Sequence, residues 1–414
     1  MFRRQAAIVL LAGLCLTPHL ASAQTPRGPE IRVDQQTLPS NWSPRVAVAP
    51  SGDFVAVWQT GSAFAPAESP RVWFRLFRAD GTPKGGQLRV NSGKARETLP
   101  SISMADDGSF VIVWQSGTTT DTSVFGRRFT AQGTPVGGRF LLSSSTEGNQ
   151  SEPSVALTPG GGFVAAWTSG LFPYGSRHSD VYARVFDATG RPLGPDFRVN
   201  SGTLREQSLP QVVVDGSGGF LVGWRSFGGE DMFFDIFAQR YAADGTPVGN
   251  EFQINAADTE RASQSEYSLA MADDGSFVAV WAEPGPDTSG PAGLRAQRFA
   301  ADSNSTRIGP PIAVNSTQGA INDEPAITLT PHGFFIAWRS YVTGPSPVVP
   351  EILGRRFFAD GTPRGGDVRL DLSSGAKGQP GLAMSASGKG AVVWVSGLSG
   401  EKGVFARRLV QPLP

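Results

Sequence analysis

Asp106-Asp107-Gly108-Ser109-Phe110-Val111-Ile112-Val113-Trp114 decides the fold. Its first three residues suit a tight turn, and the apolar run that follows suits a short buried strand ending on tryptophan. The stretch recurs as Asp273-Asp274-Gly275-Ser276-Phe277-Val278-Ala279-Val280-Trp281, and more loosely five further times. The closing tryptophans are Trp58, Trp114, Trp167, Trp224, Trp281, Trp338 and Trp394, at intervals of 56, 53, 57, 57, 57 and 56 residues. A fixed period of this length, made of strand-like pieces, marks an array of β units.

Each unit holds four strand-like pieces. In the second they are Ser101 to Met104, Phe110 to Trp114, Val124 to Phe129 and Arg139 to Leu142. Gly and Pro fall between the pieces, where turns need them. The first pieces alternate a bulky face (Ile102/Met104, Val155/Leu157, Leu269/Met271) with a mostly small one (Ser101/Ser103, Ser154/Ala156, Ser268/Ala270). Successive strand side chains face opposite sides, so each sheet presents a bulky face to its neighbour's small face. That suits sheets stacked radially about an axis.

The last unit stops after its third piece, Val404 to Leu409, and a fourth-piece pattern stands alone at the other end as Ile31-Arg32-Val33-Asp34. The sequence therefore predicts an all-β, seven-bladed β-propeller of four-stranded antiparallel blades. Residues 30–34 are expected to supply the outer strand of the last blade and close the ring, covering an edge that would otherwise be open.

Residues 1–23 read as a secretory signal, with Arg3 and Arg4 before an apolar segment and Ala21-Ser22-Ala23 as the cleavage site. One domain, 24–414, then remains. It carries 34 Lys+Arg against 36 Asp+Glu and none of the sequence's single Cys. Nothing in this balance suits nucleic acid or an anionic membrane, and no later run is long enough to span a bilayer. The expected location is periplasmic or extracellular. A complete ring does not force oligomerisation, so a monomer is expected.

The repeat resembles seven-bladed β-propellers of exported bacterial proteins. Its hairpins are similar to the Asp-box of sialidase-like propellers, a Ser/Thr-x-Asp-x-Gly-x-x-Trp turn, through Asp106, Gly108 and Phe110 and again Asp273, Gly275 and Phe277. Met104 and Met271 stand where that box has Ser/Thr, and the tryptophan comes six residues after the glycine. The box is structural in that family, so the resemblance implies an architecture more than an activity.

The seven tryptophans are candidates for sugar-stacking platforms, but recurrence at one strand position favours packing between blades. Arg75, Arg127, Arg184, Arg355 and Arg407, replaced by Gln239 and Gln297 in two units, are expected to be half-exposed and paired across strands, not an anion-binding ring. Each Asp-Gly turn offers at most two carboxylates where calcium takes about six to eight oxygens, so no metal is assigned and no cofactor is expected. The first-to-second and third-to-fourth links are short and uniform, while the others are long and irregular and share one face. A rigid scaffold with variable loops on one face binds there. The candidate ligand residues on that face are Tyr174, Arg177, His178, Asp180, Asp231, Phe233, Glu266, Tyr267 and Tyr341.

Two functions follow. The leading expectation is a non-enzymatic binding or scaffold propeller that recognises a glycan or protein ligand on the long-loop face. The alternative is a sialidase-like glycan hydrolase or lyase, for which the one Tyr–Glu neighbour pair, Glu266-Tyr267, is the candidate together with Glu206 and Asp323. No spacing selects a catalytic set.

Overall fold

The computed structural model describes residues 26–410 apart from 36–40, 62–68, 94, 119–120, 171–177, 204–205, 228–233, 256–265, 284–292, 317–318, 331, 343–347 and 398–402. The signal segment lies outside the described residues. Seven four-stranded antiparallel sheets are present, six of them built from strands consecutive in the chain. The second, for example, runs Arg96–Met104, Phe110–Gly117, Thr122–Phe129 and Pro135–Leu141 from axis to rim. The seventh takes Lys377–Met384, Lys389–Ser396 and Gly403–Val410 from the end of the chain and Arg27–Arg32 from its beginning. Ile31 lies opposite Ala406 and Arg32 opposite Phe405. The chain is a seven-bladed β-propeller closed by its N-terminal strand. Contact between the two ends continues beyond the strand, because the Val33 N–H donates to the Val404 carbonyl at 2.8 Å and the Val404 N–H to Asp34 Oδ1 at 2.7 Å.

The turn chemistry of the opening stretch works as its residue types require. Gly108 and Gly275 sit at φ +82° and +84°, a conformation that costs a residue with a Cβ. Asp107 Oδ1 accepts the Ser109 N–H, and Asp274 Oδ1 the Ser276 N–H, each at 2.8 Å. These carboxylates serve their own turns. Among the described residues no group of three or more His, Cys, Asp or Glu is placed to hold a metal ion.

The core is divided into seven apolar clusters, one in each seam between neighbouring blades. Numbering blades by their tryptophans, Val46 and Val48 of blade one pack on Ala383 of blade seven, and Val212 and Val214 of blade four on Ala156 of blade three. Bulky thus meets small around the ring. Every repeat tryptophan is at most 1% exposed and sits in the seam with the preceding blade, so none offers a face to a sugar. In six of the seven seams an aromatic pair from the second and third strands stacks, as in Phe163–Phe186 at 4.6 Å and Phe277–Phe299 at 4.5 Å, while blade seven has Gly390 opposite Leu409 there.

The third-strand arginines differ from the expected cross-strand pairs. Each bridges two blades. Arg75, Arg127, Arg184, Arg355 and Arg407 donate through Nη1 to Val33, Val90, Leu142, Val314 and Leu370, carbonyls one residue past the outer strand of the blade before, at 2.9–3.3 Å. Where glutamine replaces arginine, the matching carbonyl finds another donor. The Tyr241 hydroxyl reaches Val199 at 3.4 Å, and Arg307 Nη2 reaches Ile254 at 3.2 Å. A buried carbonyl without a donor is costly, which accounts for the substitutes.

Candidate functional site

The seven first strands surround the axis and enclose a cavity of about 580 Å³ lined by residues from every blade. Six of these strands carry a β-bulge, seen as a register shift between residues 42/45, 98/101, 151/154, 208/211, 323/326 and 378/381. At each bulge the residue before a proline adopts a positive φ of 50–55°: Ser43, Leu99, Glu152, Leu209, Glu324 and Gln379. Such backbone costs about 1–3 kcal/mol per non-glycine residue, so the surroundings must hold it in place.

They do so with a belt of hydrogen bonds from blade to blade. The Leu209 N–H donates to Glu152 Oε2 at 2.9 Å and the Ser43 N–H to Gln379 Oε1 at 2.8 Å. The Glu324 N–H donates to Glu266 Oε2, and the Gln379 N–H to Glu324 Oε2. One step deeper, Ser154 Oγ accepts the Val212 N–H at 3.1 Å and Gln211 Oε1 the Leu269 N–H at 3.1 Å. The ring of side chains that lines the cavity mouth is therefore also the clasp between blades.

Blade five breaks the pattern. Tyr267 replaces the proline, its pairing with Trp281 starts without a bulge, and Glu266 takes the lining position. The Tyr267 hydroxyl is spent on the Leu209 carbonyl at 2.7 Å and its ring lies in the seam with blade four. Burial raises its phenol well above the ordinary range. Glu266 faces the cavity instead. Burial raises its carboxyl, and the neighbouring Asp323 and Glu324 carboxylates add to that against the Glu324 N–H and Arg339. Glu324 is raised by burial too, with Arg339 opposing.

Two cations at the ends of second strands are already engaged. Arg339 forks onto Asp323 at 2.7 and 2.6 Å and meets Glu324 Oε1 at 3.2 Å, with the Tyr341 ring 5.5 Å from its Cζ. Arg225 meets Glu206 Oε1 at 3.0 Å and lies 4.0 Å over Phe234. Arg45 lines the cavity, and its Nη1 donates to the Pro44 carbonyl at 3.0 Å. It is reachable by solvent through the cavity although protein surrounds it, and that enclosure lowers its pKa from the ordinary arginine value. Among the lining residues three carboxylates, Glu152, Glu266 and Glu324, stand against this one guanidinium.

Of the residues expected from sequence, Glu266 and Tyr267 line the cavity and Tyr341 lies beside the Arg339 cluster. His178 is exposed, and Asp180 accepts from Asn200 Nδ2 at 2.7 Å on the third strand of blade three, away from the cavity lining. Tyr174, Arg177, Asp231 and Phe233 lie outside the described residues. Sequence reasoning did not single out Ser43, Arg45, Leu99, Glu152, Leu209, Glu324 or Gln379 as one ring. The signal was available as a dipeptide ending in proline, no later than the middle of the first strand, in six blades.

No protein-family model matches the chain, and no curated protein matches it. Solved structures do. A variant of the NanB sialidase from Streptococcus pneumoniae aligns over 92% of this chain and 71% of its own, at 9% identity and a TM-score of 0.53. The polysaccharide lyase Uly1 aligns over 89% of each chain at 10% identity and a TM-score of 0.51. The α-L-arabinanase of Penicillium chrysogenum, solved with arabinobiose, covers 75% of this chain and 93% of its own at 12% identity and a TM-score of 0.52. At these identities the likeness is one of fold.

Proposed function

We propose that this chain is an exported propeller that binds a glycan at the axial cavity on its long-loop face, without turning it over. The observation that carries the reading is the cavity itself. Its mouth sets acceptors (Glu152, Glu266, Glu324, Gln379), a donor (Arg45) and two leucines (Leu99, Leu209) around one opening. Sugars present hydroxyls beside apolar C–H faces, and a concave site with convergent polar groups suits them. The names of the structural neighbours, which include a sialidase, a polysaccharide lyase and an arabinanase, support a glycan as ligand. Export rests on the signal-like residues 1–23.

Isothermal titration of residues 24–414 against neutral, acidic and amino-sugar oligomers tests the reading. One class is expected to bind, and Glu266→Gln to weaken it at least tenfold without lowering the melting temperature, since glutamine keeps an acceptor for the Glu324 N–H. No saturable binding by any class overturns it.

A hydrolase or lyase is the second reading. Its support is the Glu266 carboxyl, which burial raises in the direction a general acid requires. Against a Tyr–Glu pair stands the Tyr267 hydroxyl, already donated to Leu209. Turnover of any glycan in the panel, lost in Glu266→Gln, would establish this reading in place of the first.

A further inference from the structure

Five blades carry an arginine one position after the bridging arginine or the glutamine that replaces it: Arg128, Arg240, Arg298, Arg356 and Arg408. Alternation points it the other way, toward the following blade. Arg240 of blade four donates to the Gly275 and Ala300 carbonyls at 2.8 Å and to Ser305 Oγ at 2.7 Å, all in blade five. Arg298 of blade five donates to the Asp360 carbonyl of blade six, and Arg408 of blade seven to the Ala79 carbonyl of blade one at 3.2 Å. In all three, an acceptor belongs to the turn between third and fourth strands of the next blade.

Blade seven has no such turn, because its fourth strand is Arg27–Arg32. Arg356 is the residue that faces blade seven. It shares a strand face with Ile352, which packs in the seam between blades six and seven. Its residue is 5% exposed, and neither Nη1 nor Nη2 has a hydrogen-bond partner. Arg364 stands directly across on the neighbouring segment, its N–H donating to the Arg356 carbonyl at 2.8 Å beside the Phe357–Pro363 bridge. Arg364 Nε is also buried without a partner. Burial first, and then the like charge of Arg364, pulls the Arg356 guanidinium down to about 10. A buried cation with a second beside it and no anion pairing with it among the described residues is an arrangement that proteins otherwise avoid.

We propose that Arg356 and Arg364 form a binding site for an oxyanion, phosphate or sulfate, free or carried as an ester on a larger molecule, at the outer seam between blades six and seven. The planar guanidinium fork matches such an oxyanion through paired N–H donors. The site owes its existence to ring closure. The strand that completes blade seven arrives from the other end of the chain and brings no turn to satisfy Arg356.

Isothermal titration with sulfate, phosphate and a sulfated oligosaccharide, at ionic strength held constant with chloride, tests this. One saturable site is expected, lost in Arg356→Leu, weakened at least tenfold in Arg364→Gln, and unchanged in Arg298→Leu. Binding of the inorganic ions identifies a free anion as ligand, and binding of the sulfated oligosaccharide alone identifies an ester; both support the site if Arg356→Leu abolishes them. Melting without added oxyanion gives a second readout. Arg356→Leu is expected to melt no lower than the parent, because it removes an unpaired buried charge, whereas Arg298→Leu melts lower. Absence of saturable binding by all three probes, binding that survives Arg356→Leu, or a loss of melting temperature in Arg356→Leu as large as in Arg298→Leu overturns the proposal.

Discussion

At the residue scale the molecule spends its large and charged side chains on the seams. Trp167 fills the seam between blades two and three at 1% exposure, so Trp167→Ala is expected to cost about 3–5 kcal/mol, read as a lower urea midpoint with an unchanged slope. An unchanged midpoint with lost glycan binding would return the tryptophans to the role of sugar platforms. The arginines show how far residue types can be read alone. Their recurrence and their loss at Gln239 and Gln297 are visible in the sequence, but their partners are backbone carbonyls in another blade, and a carbonyl has no letter of its own. Tyr241 and Arg307, which stand in for them, come from other positions, Tyr241 from the place where the other blades with a stacked pair have phenylalanine.

Among the elements, the closing strand carries the most consequence. Val33, which extends it, is fully buried in the seam between blades seven and one. Val33→Asp would place an unpaired charge there and is expected to cost about 3–5 kcal/mol. Limited proteolysis of that variant should then cut first on the N-terminal side of residue 41. An earliest cut within blades three to five would mean that the ring opens elsewhere. The strand pieces, their order and this closure were legible because a period-2 pattern and a fixed repeat are properties of the chain itself. The axial ring was less so. Its bulges depend on first strands crowding one another around the axis, a relation between residues more than 50 positions apart such as Glu152 and Leu209. Only the proline after each ring residue hinted at it, and blade five, where Tyr267 replaces the proline, drew notice for its Tyr–Glu adjacency instead.

On the scale of the whole molecule, two sets of carboxylates oppose each other. Asp80, Asp107, Asp187, Asp244, Asp274, Asp302 and Asp360 are lowered chiefly by hydrogen bonds within their turns. Their stabilisation is present above the unfolded value of about 4 and is lost as pH falls through the lower folded values. Glu97, Glu266 and Glu324 are raised by burial. Their protonated forms favour the fold, and that contribution is lost as pH rises from about 4 through the raised folded values. The melting temperature is therefore expected to peak in the weakly acid range, and Glu266→Gln with Glu324→Gln should flatten the fall toward neutrality. A melting temperature that climbs steadily from pH 5 to pH 8 in the parent, measured by calorimetry, would contradict this.

The pairing of Arg27 with Arg408 also fixes how the ring responds to mechanical load. The closing pair is antiparallel, so the segments leading away from it depart at the same end. Tension applied between them loads the hydrogen bonds one after another, starting at Arg27, in the manner of peeling tape and not of shearing a lap joint. A propeller clasped this way yields by unzipping when it is pulled through those two segments.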